Sequence, residues 1–138
     1  MTTPVHEPDI LEVEDLHTHF LVPRSSGWGK DTLKAVNGVS FALPRGTTLG
    51  LVGESGCGKS TLGRTLLGLI EATSGTVRLK GRTLGHKQRT NEERRSMQVV
   101  FQDPFASLDP RLTVHEVVAE PLRINHCYRR ERVDEVIE

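Results

Sequence analysis

Eight consecutive residues constrain this chain more than all the others: Gly53-Glu54-Ser55-Gly56-Cys57-Gly58-Lys59-Ser60. They fit the pattern G-x-x-x-x-G-K-[ST], in which glycines let backbone N–H groups turn inward with no Cβ in the way. The run before them, Leu49-Gly50-Leu51-Val52, is continuously apolar, as expected of a strand buried on both faces in an α/β sheet. After them Leu62, Leu66, Leu69 and Ile70 recur at helical spacing, which predicts a helix from Ser60 to near Ser74-Gly75. A strand, a glycine loop and a helix in that order aim the unpaired N–H groups and positive dipole end of the helix at the loop. The loop is therefore predicted to hold phosphate. Lys59 would reach the β- and γ-phosphates, the Ser60 hydroxyl is placed to ligate Mg²⁺, and Thr61 can bond the α-phosphate. The plainer alternative, a glycine-rich turn that holds nothing, leaves the flanking strand and helix patterns as coincidence.

Across 138 residues, 18 basic side chains balance 18 acidic ones, so nothing points to a nucleic-acid or membrane-surface binder. Arg82, Lys87, Arg89, Arg94 and Arg95 gather locally, but Glu92 and Glu93 stand among them, as on a solvated loop or helix face. No apolar run approaches the roughly 20 residues needed to cross a bilayer. The start, Met1 to Asp9, has neither the basic nor the apolar region of a signal peptide. A cytosolic chain without direct membrane insertion is expected. Cys57 and Cys127 form no metal-binding spacing and suit a reducing compartment. His17 and His19 would share a strand face, with no third metal ligand evident.

Leu11 and Val13 alternate with Glu12 and Glu14, and Val39, Phe41 and Leu43 alternate again, which predicts two half-buried strands. The loop from Pro23 to Asp31 joins them, so an antiparallel layer is expected. Val77 and Leu79 start another strand ending at Gly81, and Met97-Gln98-Val99-Val100-Phe101 reads as a further buried one. Thr113 and Glu116 make a capping-box helix start, and Pro121 is expected to kink or end that helix. Val133, Val136 and Ile137 fall on one side of a last helical stretch reaching Glu138 without a stop signal, as if the chain ended inside an element.

Gly53 to Thr61 resembles the Walker A loop of ATP-binding cassette proteins. Val100-Phe101-Gln102-Asp103-Pro104 is similar to the Q-loop of that family, at the family's distance from the first loop. The longer run from Phe101 to Val114, with Ala119-Glu120-Pro121-Leu122 after it, resembles the ATP-binding subunits of bacterial oligopeptide and dipeptide importers. Ser74-Gly75 before a strand, and Ala35-Val36 before Val39-Ser40-Phe41, also stand where that family has them.

The resemblance implies an α/β fold: a partial P-loop NTPase core with an N-terminal antiparallel β layer and the start of a helical subdomain. The β layer with the start of the core would occupy 10–50, the core to the Q-loop 47–102, and the helical subdomain 103–138. It implies ATP and Mg²⁺ as ligands, held by Gly53, Glu54, Ser55, Gly56, Cys57, Gly58, Lys59, Ser60, Thr61 and Gln102. Gln102 would ligate Mg²⁺, contact the attacking water and touch the transmembrane subunit; with Lys59 it forms the catalytic set. Phe20 is the best match to the family's adenine-stacking aromatic, and Trp28 is an alternative stacker or a loop residue. Implied partners are a second ATPase subunit and permease subunits, on the cytoplasmic face of the membrane. The signature segment, Walker B carboxylates and switch histidine of the family are not found in this sequence, so no turnover is expected from the chain alone. A non-catalytic remnant, an interaction module or a small P-loop kinase or GTPase are the competing readings, and nickel or other solutes compete with peptides.

Overall fold

A computed structural model describes residues 9–24, 27–85, 89–103 and 108–137. Residues 1–8 of the N-terminal stretch, Ser25 and Ser26 of the first loop, Lys87 of the basic stretch and 104–107 of the glutamine-bearing run lie outside the described residues. The chain divides into two units, one ending at Met97 and one starting at Gln98.

The first unit is built on a hairpin. Strand β1 (Leu11–Pro23) pairs antiparallel with β2 (Lys30–Leu43), as the two alternating runs predict. β3 (Ser74–Leu79) takes the other edge of β1, and the short β4 (Arg82–Thr83) follows, giving the order β2-β1-β3-β4. The pairing of β1 is irregular around Asp15, whose φ is 45°, and Gly75 of β3 lies against that irregularity. A Cβ at Gly75 would collide with the Asp15 carbonyl and the Leu16 backbone, so only glycine lets the two strands close there. Val13, Leu16, Val36, Val77 and Leu79 supply the sheet's part of the core. Arg78 alternates to the other face and donates to Glu14 at 2.7 Å and Glu12 at 3.4 Å.

Helix α1 (Lys59–Leu66) lays Leu62 into this core. It is shorter than the leucine spacing predicts. Gly68, at φ 73°, donates to the Thr65 carbonyl at 3.0 Å while Leu69 N–H reaches back to Arg64 O at 2.9 Å, which closes the helix in a Schellman turn. Leu69 is consequently exposed. Helix α2 (Asn91–Arg95) starts on a Thr90–Glu93 capping box and is exposed along most of its length.

Two expected buried strands are not observed. Leu49 to Val52 join no ladder, and Val52 is 93% exposed. The run Met97 to Phe101 is likewise outside any ladder, with Val100 95% exposed. An apolar run becomes a strand only where neighbouring backbone accepts its hydrogen bonds, and the ladders among the described residues are those of the four-stranded sheet alone.

In the second unit, α3 (Val114–Ile124) begins at the predicted box, with Thr113 Oγ1 accepting from Glu116 N–H at 3.3 Å and Glu116 Oε2 accepting from Thr113 N–H at 2.8 Å. Pro121 lies inside this helix and does not end it. Helix α4 (Arg130–Ile137) packs on α3, and Ala119 and Val133 are the buried residues of the pair. Val136 and Ile137 are exposed, so the predicted apolar side is buried at Val133 alone.

Candidate nucleotide site

The glycine loop leads directly into α1. Gly58 is the N-cap of that helix, in the left-handed region at φ 97°, and no side chain caps the first turn. The opening N–H groups of α1 are thus left for a ligand, which is the electrostatic condition for binding an anion at a helix start. Gly56, at φ 81°, makes the preceding bend. Gly58 is also pressed against β2: a Cβ there would collide with the Ala35 carbonyl. At Gly53 an added Cβ would come within 2.7 Å of Cys57 Sγ.

Lys59 folds over the loop. Its ammonium donates to the Gly53 carbonyl at 2.8 Å and the Glu54 carbonyl at 2.6 Å, and lies 3.5 Å from Cys57 Sγ. A positive charge is therefore held against the loop backbone, while Glu54 and Ser55 are exposed at the bend. Ser60 is exposed at the second position of α1, and the Thr61 carbonyl accepts the Thr65 hydroxyl at 2.8 Å. A hollow of about 410 Å³ lies beside the loop, between Lys59, Gly58 and Cys57 on one side and Lys34, Ala35 and Val36 of β2 on the other.

Phe20 stands on β1 opposite Leu33 of β2, 36% exposed, two residues beyond the buried Thr18. Trp28 is fully exposed between Gly27 and Gly29, as a hairpin-tip residue. Gln102 belongs to the second unit, exposed and outside regular structure. His17 is engaged through both ring nitrogens, with Asn37 Oδ1 at 3.2 Å and Asp15 Oδ1 at 3.0 Å, and its ring meets that of His19 edge-on at 5.5 Å. Among the described residues no group of three His, Cys, Asp or Glu is arranged to hold a metal ion. The Ala35 contact carries no local signal in the sequence, because its partner Gly58 lies 23 positions further along the chain.

An uncapped helix start, a left-handed glycine before it and a lysine drawn over the loop define a phosphate-loop protein of the α/β class. A family model described as ABC transporter matches residues 36–138, and the chain belongs to that family. It is 49% identical over 122 residues to the oligopeptide transport ATP-binding protein OppF of Salmonella typhimurium, covering 85% of this chain and 36% of that protein. It is 44% identical over 131 residues to the di/tripeptide transport ATP-binding protein DppF of Pseudomonas aeruginosa, covering 94% and 41%. Among solved structures it resembles cbiO1 from Clostridium perfringens, described as part of the ABC transporter complex cbiONQ, with a TM-score of 0.67, 25% identity and coverage of 94% and 47%. The fold is also that of the dimeric bacterial ABC transporter cassette MJ0796, with a TM-score of 0.66, 23% identity and coverage of 92% and 54%. The chain spans less than half the length of the two curated relatives named here.

Proposed function

We propose that this chain binds MgATP as part of the ATP-binding subunit of an ABC importer for oligopeptides or dipeptides. The observation that carries the reading is the loop itself, with Lys59 held over it and the first turn of α1 left without a side-chain cap. The fit to a polyphosphate is chemical: the first turn of α1 offers N–H donors that no side chain caps, and the Lys59 ammonium adds positive charge beside the loop. Mg²⁺ at this site would supply charge neutralisation for the phosphate groups. By the family resemblance Ser60 and Gln102 are the residues that would hold it, while Thr61 would bond the α-phosphate. Phe20, half exposed on the hairpin, is the base-stacking side chain. Gln102 and Lys59 act in hydrolysis within the intact protein, Gln102 by contacting the attacking water and Lys59 by stabilising charge on the terminal phosphate.

Support for the wider setting comes from the relatives, whose names describe peptide transport, and from the dimeric cassette of the same fold. On that reading the chain works with a second ATPase subunit and permease subunits, peripherally on the cytoplasmic side of the membrane. No described helix is long and apolar enough to cross a membrane.

Lys59→Ala tests the site. Removing a charged donor from a phosphate weakens MgATP binding about tenfold or more. Calorimetric titration of MgATP into both folded proteins measures it, and equal affinity would remove Lys59 from the site.

A further inference from the structure

Thr18 and Thr65 are 1% and 3% exposed, the buried polar side chains of the described residues, and their hydroxyls meet at 3.0 Å across 47 positions of sequence. Thr65 spends its own proton on the Thr61 carbonyl at 2.8 Å. The Thr18 hydroxyl must then be the donor to Thr65 Oγ1. A one-way chain of hydrogen bonds runs from β1 into the two turns of α1 and ends on Thr61, the helix residue that directly follows the phosphate loop. Thr73 ties the same stretch of β1 a second time: its N–H donates to His17 O at 2.8 Å and its hydroxyl accepts from His19 N–H at 2.9 Å.

Thr18 and Phe20 are two residues apart on β1, about 7 Å along the strand, with a register irregularity against β2 between Thr18 and His19. The strand that carries the exposed aromatic ring is thus fastened to α1 through Thr18, two residues before the ring. We infer that the Thr18–Thr65 pair sets the distance between the base-stacking ring and the phosphate loop, and so decides how well a nucleotide is bound relative to a bare polyphosphate. Both threonines are positioning residues that touch no ligand. The inference rests on the nucleotide reading above and adds to it the device that joins its two halves.

Thr18→Val keeps the side-chain shape, leaves Thr65 bonded to Thr61, and removes the tie to α1. Calorimetric titration of the full chain with MgATP and, separately, with magnesium and inorganic tripolyphosphate reads the two halves apart. Loss of the tie should weaken MgATP about fivefold and change tripolyphosphate by less than about twofold, while Thr18→Ser restores MgATP binding. Equal loss for both ligands would reduce the pair to a folding role and overturn the inference, as would no change for either. If Thr18→Val does not fold, Thr65→Val breaks the bond from the other side, and MgATP must again lose more than tripolyphosphate. Wild-type protein that binds tripolyphosphate but gains nothing from the base sinks the inference and leaves the phosphate loop standing. Wild-type protein that binds neither ligand overturns the nucleotide reading itself.

Discussion

Gly58 and Gly63 lie five positions apart and meet opposite demands. Gly58 is left-handed at φ 97° and has the Ala35 carbonyl where a side chain would go. Alanine there costs about 1–2 kcal/mol in backbone conformation before the clash is counted, and relief of the clash must push the loop off β2. Gly58→Ala should therefore lower the melting temperature and abolish MgATP binding together. Gly63 lies inside α1, and a Cβ there meets open space. Gly63→Ala should stabilise the chain by about 0.5–1 kcal/mol through the restricted unfolded backbone, read as a higher denaturant midpoint. A destabilised Gly63→Ala would mean that a side chain at this position meets a neighbour in solution. The motif spacing makes the glycines of the loop legible in sequence. It does not say that Gly58 is required by a carbonyl 23 positions earlier, because that contact exists only once β2 is in place.

Helix ends divide along the same line. The α3 start was readable because a capping box is wholly local, Thr113 and Glu116 being three residues apart. The end of α1 was not, because Leu69 and Ile70 continue the apolar period past the left-handed Gly68 that stops the helix. Periodicity reports which residues want burial, and a Schellman turn overrides it with one glycine. The α3 box also has a pH signature. Hydrogen bonds from Thr113, its backbone N–H first and its hydroxyl second, hold the Glu116 carboxyl below its ordinary value of 4.5. A carboxylate depressed in the folded state stabilises that state above its ordinary pKa and loses the contribution as pH falls through the folded value. The cap should therefore be intact at neutral pH and loosen only below about pH 4.5, the ordinary glutamate range. Amide shifts of Thr113 and Glu116 followed by NMR should move together in that acid window, and Glu116→Gln should remove the transition. An unchanged titration in Glu116→Gln would assign it to another group, such as Asp109, which Arg111 also holds low.

At the scale of the whole molecule, apolar segments are identified by sequence and their covering is not. Leu49, Leu51 and Val52 leave the core expected of them, and Val99, Val100 and Phe101 do the same in the second unit. Composition marks these runs as suited to a buried sheet, while burial depends on strands that must lie beside them. The hairpin needed no such help, since β1 and β2 supply each other's partners through one short loop. An apolar groove of about 400 Å³ runs along Leu49, Leu51, Phe41, Leu62 and Leu66, next to the phosphate loop. Each large aliphatic side chain left in water forgoes about 1.5–3 kcal/mol of burial, and a chain this size has little stability in reserve. The isolated chain should consequently bind a hydrophobic dye such as anilinonaphthalene sulfonate, associate as its concentration rises, and melt over a broad range. Val52→Lys and Val100→Lys, at positions 93% and 95% exposed, should reduce self-association without lowering the melting temperature, because neither side chain contributes to the present core. Sedimentation velocity across a concentration series, paired with thermal melts of the same samples, measures both effects. A sharply melting monomer that ignores the dye would show that these runs are covered in solution, and a lower melting temperature in either lysine variant would place that valine in the core.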